Sequence, residues 1–187
     1  MHDRQFKNEC IDRIYHVIRK FNLGWRLVAY TETSAHGKFD LYSYGRLSEI
    51  KRLEDEFQNV LGNKATIESS DGYVNIIIPK PRTDILDLSD ILNSTFYKTC
   101  PARVKIPLGE CVDGGYIIGD LDEWVHVLVA GETGGGKSVL LHTMIASLIH
   151  GYTPDEIRFV LIDLKHVEFT FYEDISYLHL PVIYDAN

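Results

Sequence analysis

Val125-His126-Val127-Leu128-Val129-Ala130 runs directly into Gly131-Glu132-Thr133-Gly134-Gly135-Gly136-Lys137-Ser138. The octapeptide fits G-x-x-x-x-G-K-[ST], the phosphate-binding (Walker A) loop. Phosphate chemistry asks for these residue types in this order. Glycines let backbone N–H groups turn inward around an anion. Lys137 brings a point charge for the β- and γ-phosphates, and the Ser138 hydroxyl can ligate Mg2+. The apolar run before the loop predicts a strand. After it, Leu140, Met144 and Leu148 recur at i+4, as do Leu141, Ile145 and Ile149. That spacing predicts a helix beginning at the loop, with its N-terminal dipole aimed at the phosphates. Gly131, Glu132, Thr133, Gly134, Gly135, Gly136, Lys137 and Ser138 are therefore the candidate nucleotide contacts, with Lys137 the candidate catalytic residue. The competing reading is a chance glycine-rich turn. The bare pattern arises by accident in about one chain in two hundred of this length, and the flanking pattern makes accident rarer.

Composition sets outer limits. With 187 residues and 45% hydrophobic content the chain can build one large or two small domains. A formal net charge of −8 excludes a free-standing basic DNA binder, so any polyanion contact must be local. Cys10, Cys100 and Cys111 are odd in number and lack C-x-x-C spacing, which fits a reducing compartment. Met1-His2-Asp3-Arg4 leads into charged residues and not into a signal peptide. The longest apolar stretch, Val139 to Ile149, is too short to span a bilayer. Together these features predict a cytoplasmic chain.

Elsewhere the pattern is that of a small α+β module. Ile11, Ile14, Tyr15, Val17, Ile18 and Phe21 predict a helix over Asn8 to Phe21, stopped by Asn22-Leu23-Gly24. Leu27 to Thr31 and Lys38 to Tyr44 predict a hairpin. Leu47, Ile50, Leu53, Phe57 and Leu61 predict a second helix ending at Gly62-Asn63, and Tyr73 to Ile78 a strand ending at Pro79. Asp84 to Leu92 predicts a short helix. Lys98 to Gly115 reads as loop, being broken by Pro101, Pro107, Gly109, Gly114 and Gly115, and the domain boundary is placed near Lys98. The expected domains are thus residues 1–97 and 98–187. Beyond Gly151-Tyr152-Thr153-Pro154, Phe159 to Asp163 predicts a second apolar strand, giving a parallel βαβ crossover.

Asp163 admits two readings. It is either the acid that holds Mg2+ through a water at a strand end, or the end of an ordinary second strand. The eight histidines form no metal pattern, since His142 and His150 sit eight apart and no H-E-x-x-H occurs. They read as structural.

Several segments now line up with one family. Pro107-Leu108-Gly109-Glu110, Gly119-Asp120-Leu121 and Val125 to Val139 resemble the approach and phosphate loop of FtsK/SpoIIIE-type DNA translocases. Thr153 to Phe159, Ile162-Asp163-Leu164-Lys165, Glu168, Tyr172, Leu178 and Pro181-Val182 continue the resemblance. The first module looks like the family's α domain, and Leu164-Lys165 with Val167-Glu168-Phe169 looks like its conjugation-associated branch. The departures are Glu132 and Gly135 for the commoner Thr and Ser, Trp124-Val125 where Pro is usual, and Leu164 for Pro. Glu132 puts an anion beside the phosphates, which would lower affinity.

The resemblance implies an α/β fold: a small α+β domain followed by the N-terminal part of a RecA-like P-loop parallel sheet. It implies ATP and Mg2+ as cofactors, double-stranded DNA as partner, and a homo-oligomeric, hexameric ring. It also implies that Asp163 is not the metal acid, because the family's Walker B Asp-Glu pair lies on a later strand, followed by an arginine finger. The chain accordingly reads as a fragment of a longer motor whose full-length relatives can be membrane-anchored. The leading function is the ATP-binding portion of a DNA translocase, in chromosome segregation or conjugative transfer. A non-catalytic nucleotide-binding or assembly fragment is the alternative. A small-molecule kinase is disfavoured, because Arg158 is the only arginine after the loop. No DNA-contacting residue can be named from the sequence.

Overall fold

A computed structural model describes residues 2–44, 50–62, 64–70 and 72–185. The chain divides into two compact units, residues 1–86 with 110–115, and residues 87–109 with 116–187. The boundary anticipated near Lys98 thus falls inside the second unit.

The first unit is an α+β module. Helix α1 (His2–Lys20) leads to strands β1 (Trp25–Glu32) and β2 (His36–Ser43), helix α2 (Ile50–Leu61), and strands β3 (Thr66–Ser70) and β4 (Tyr73–Pro79). The sheet order is β1-β2-β4-β3, antiparallel at every junction. Period-2 alternation decides which face is covered: Phe39 and Leu41 of β2 and Val74, Ile76 and Ile78 of β4 are all buried. Against them pack Ile14, Val17 and Ile18 of α1 and Leu53, Phe57 and Leu61 of α2. Phe57 stacks on Trp25 with ring centroids 5.6 Å apart.

Helix α1 starts six residues before the expected Asn8. It closes where the sequence indicates, with Asn22 at φ 50° and the Leu23 N–H donating to the Ile18 carbonyl. The stop after α2 is Gly62, at φ +105°. Leu47 and Asn63, assigned to that helix and its cap from sequence, lie outside the described residues. Strand β3 carries too few apolar residues to have been read as a strand. Among the described residues it is an edge strand, paired with β4 alone.

The nearly buried Lys80 ammonium lies 2.9 Å from Glu32, 2.9 Å from Asp84 and 3.3 Å from Asp3. Burial alone would lower its pKa. The bonds to Asp84, Glu32 and Asp3 outweigh that and raise it.

The second unit contains α3 (Leu88–Asn93), α4 (Thr95–Thr99), most of β5 (Lys105–Glu110), β6 (Tyr116–Asp120), α5 (Leu121–Trp124), α6 (Lys137–Gly151) and a 3-10 turn at Thr170–Tyr172. The Asp87 side chain caps α3 and the Ser94 side chain caps α4, so the helix expected from Asp84 begins later. The stretch Lys98 to Gly115, expected to be loop, contains β5. Pro107 is tolerated there because, among the described residues, β5 pairs only with β6, leaving one side without a ladder. The Asp120 carboxylate accepts from the N–H groups of Arg103, Val104 and Asp122, tying the start of β5 to the end of β6.

Two expected strands behave differently from prediction. Val125 to Ala130 forms no ladder with any described residue, and Leu128 is 90% exposed. A strand needs a neighbour to satisfy its backbone groups, and apolar composition cannot supply one. The expected crossover between this run and Phe159–Asp163 is therefore not the pairing observed. Instead residues 159–163 pair in parallel with residues 177–183, through bridges Phe159↔Leu178 and Ile162↔Ile183. Phe159, Leu161 and Val182 join Ile106 of β5 and Ile145 and Leu148 of α6 in one core. Among the described residues the chain is thus a mixed α/β protein: an antiparallel α+β module, then a unit in which the parallel bridges at 159–163 and 178–183 pack with α6 and β5.

Candidate nucleotide-binding site

The approach to the loop begins with a tight turn. Val125 has φ 58° and ψ −52°, and the His126 N–H reaches back 2.5 Å to the Trp124 carbonyl, a γ-type turn. The six loop residues Gly131 to Gly136 are all exposed. Gly134 and Gly136 lie at φ +81° and +85°, and a Cβ on either would meet nothing within 4 Å. Glycine is therefore required here by backbone conformation and not by crowding. The Gly135 N–H donates to the Glu132 carbonyl at 3.1 Å, bending the loop back on itself. Gly136 is the N-cap of α6 and provides no side-chain cap, which leaves the first N–H groups of the helix free for an anion.

Lys137 folds over this bend. Its Nζ donates to the carbonyls of Gly131 and Glu132, each at 2.6 Å. The ammonium thus sits across the mouth of the loop with two carbonyl dipoles as its partners. The Ser138 hydroxyl donates 2.7 Å to Oε1 of Glu168. One turn further along α6, His142 Nε2 is 3.8 Å from Oε2 of the same carboxylate, and His142 Nδ1 is 2.9 Å from the Tyr172 hydroxyl.

Asp163 is 6% exposed and its carboxylate is occupied by backbone donors. Oδ1 accepts from the Lys165 N–H at 3.1 Å, and Oδ2 from Val167, Glu168 and Phe169 at 2.9, 2.7 and 3.2 Å. Burial raises its pKa, but these four bonds outweigh burial and leave it below the ordinary carboxylate value. The result is a curl from 163 to 169 that delivers the Glu168 side chain to the first turn of α6.

The structure thus brings Lys137 and Ser138 together with the loop glycines, and places Asp163 in the curl that carries Glu168. Sequence reading took His142 as structural and used Glu168 and Tyr172 only as marks of the resemblance, placing none of the three in the site. One signal was available: Ser138 and His142 are spaced i,i+4 on a helix, so both face the same neighbour. Among the described residues no group of three or more His, Cys, Asp or Glu could hold a metal ion, and no helix is long and apolar enough to cross a membrane.

Residues 87–187 match the model of the FtsK/SpoIIIE family, and the chain belongs to that family. It is 29% identical over 178 residues to a DNA translocase FtsK of Clostridium tetani, covering 92% of this chain and 24% of that protein. It is 41% identical over 115 residues to the DNA translocase FtsK of Haemophilus ducreyi, covering 62% of this chain and 12% of the relative. With a DNA translocase FtsK of Leptospira interrogans it shares 38% over 147 residues, 76% of this chain and 15% of the relative. The chain therefore spans a quarter or less of the length of these relatives. Among solved structures, the pCW3 conjugation coupling protein TcpA in its monomer form with ATPgS aligns at a TM-score of 0.42 and 20% identity, over 93% of this chain and 49% of that one.

Proposed function

We propose that this chain is the ATP-binding portion of a double-stranded DNA translocase. The observation that carries the reading is the loop itself: left-handed glycines at 134 and 136, an uncapped helix N-terminus, and the Lys137 ammonium over the bend. These features fit a triphosphate. Gly134 and Gly136 leave open space where side chains would stand, and Lys137 can exchange two carbonyl partners for phosphate oxygens at little cost in geometry. Gly131 to Ser138 would contact ATP, Lys137 would neutralise the β- and γ-phosphates, and the Ser138 hydroxyl would ligate Mg2+. Bound Mg2+ supplies charge stabilisation for phosphoryl transfer. Glu132, exposed at the loop, adds repulsion and lowers affinity.

Asp163, whose carboxylate accepts four backbone N–H groups, shapes the curl, and in this reading the metal acid lies elsewhere. The first unit then corresponds to an α-like domain and the second unit to part of the motor domain, working in a cytoplasmic ring of identical subunits. The net charge of −8 is compatible with DNA contacts confined to the ring's pore. Chromosome segregation and conjugative transfer are the two processes such a motor would serve.

The second reading is a non-catalytic module that binds nucleotide without turning it over. ATP hydrolysis by the purified chain, with and without double-stranded DNA and beside Lys137→Ala, separates the two. DNA-stimulated turnover abolished by Lys137→Ala is the result expected for the translocase portion. Nucleotide binding without turnover favours the second reading. Loss of neither binding nor turnover in Lys137→Ala would refute both.

A further inference from the structure

We infer that Glu168 is a positioning residue for the divalent cation, acting through Ser138. The inference rests on the nucleotide reading above and deepens it. A serine hydroxyl has one proton and two lone pairs. With the proton committed to Glu168 at 2.7 Å, the lone pairs are turned away from the carboxylate and left free for a cation. Mg2+ demands near-ideal octahedral ligand geometry, so a hydroxyl that rotates freely is a poor ligand and one held by an anion is a good one. Groups that orient a metal ligand in this way typically contribute about 10- to 100-fold to metal affinity.

Glu168 is itself held on both sides. Its own N–H is bound by Asp163 Oδ2, which fixes the backbone from which the side chain springs. Its second oxygen lies 3.8 Å from His142, and His142 is braced by the Tyr172 hydroxyl at 2.9 Å. Two residues one turn apart on α6 thus address one carboxylate. That carboxylate lies at the N-terminal turn of the helix, where the dipole favours negative charge. Among the carboxylates discussed, it is Glu168 that the Ser138 hydroxyl reaches, while Asp163 accepts from the backbone of the curl.

The test uses the 187-residue chain with mant-ATP as the probe, titrated in EDTA and over a series of free Mg2+ concentrations. For Glu168→Ala we expect no loss of mant-ATP affinity in EDTA, and a gain where removal of an anion beside the phosphates relieves repulsion. The Mg2+ concentration that half-restores tight binding should rise about 10- to 100-fold. Ser138→Ala should raise it at least as much, and Glu168→Ala should add nothing in the Ser138→Ala background, because the effect runs through that hydroxyl. An equal loss in EDTA and in Mg2+ would overturn the inference and assign Glu168 to loop structure. Tighter Mg2+ binding by Glu168→Ala would also overturn it, making the carboxylate a competitor for Ser138. Absence of any mant-ATP binding by the wild type would instead refute the nucleotide reading on which the inference stands. The Glu168 side chain lies outside the buried core, so the variant should fold; a thermal melt coincident with wild type checks this.

Discussion

Gly136→Ala isolates one physical term in the loop. At φ +85° and ψ 10° the residue is left-handed, and an added Cβ would have no atom within 4 Å. Steric cost from neighbours is therefore absent, and what remains is the intrinsic penalty of an L-residue in that region, about 1–2 kcal/mol. Because the loop is exposed, the substituted chain can relax when empty and must regain the strained conformation on binding. The penalty then appears in affinity, as about a 5- to 30-fold weaker Kd, with little change in thermal stability. Fluorescence titration with mant-ATP in saturating Mg2+ reads the first quantity and a melting curve the second. Gly136→Asn is the control, since asparagine visits the left-handed region far more readily, and it should recover most of the loss. Binding by Gly136→Ala within twofold of wild type, or Gly136→Asn no better than Gly136→Ala, would refute the argument that conformation and not crowding dictates this glycine.

Three further outcomes follow from packing and charge. Phe57→Ala removes a side chain that is 1% exposed and stacked on Trp25, so urea unfolding of the first unit should show a loss of about 3–5 kcal/mol. Gly119→Ala would put a Cβ 1.9 Å from the Trp124 ring; the ring must move, at about 1–3 kcal/mol, with a shift in tryptophan emission as the readout. Asp163 has a lowered pKa in the folded chain, so its contribution to stability is complete above the ordinary Asp value of about 3.9 and disappears as pH falls through the lowered one. Asp163→Asn should flatten that acid limb in melts recorded below about pH 4, and an unchanged limb would count against the four-donor arrangement.

Much of the first module was legible because its signals are local. The hairpin β1–β2, the strand β4 and the stop at Asn22 follow from alternation and turn chemistry that act within a few residues. Strand β5 was hidden by Pro107, a residue that breaks a central strand and is harmless where only one side pairs. Val125 to Ala130 failed in the opposite sense: its composition suits a strand, yet strand formation depends on a neighbour, which periodicity cannot reveal. At the candidate site, the glycines, Lys137 and Ser138 could be read because their spacing is the motif. Glu168 could not, because its approach to Ser138 depends on the curl closed by Asp163, a tertiary event. The resemblance carried the family correctly: the family match covers residues 87–187, the range in which the segments from Pro107 to Val182 lie.

That curl also governs which sequences the region can accept. Its shape is held by main-chain N–H groups converging on one carboxylate; Leu164, Lys165 and Val167 are exposed, while the His166 ring stacks on Tyr184. A saturation-mutagenesis map should therefore show one intolerant position at Asp163, followed by a permissive run. Within that run position 166 would be the exception, enriched for glycine and asparagine, because His166 holds φ at 54°.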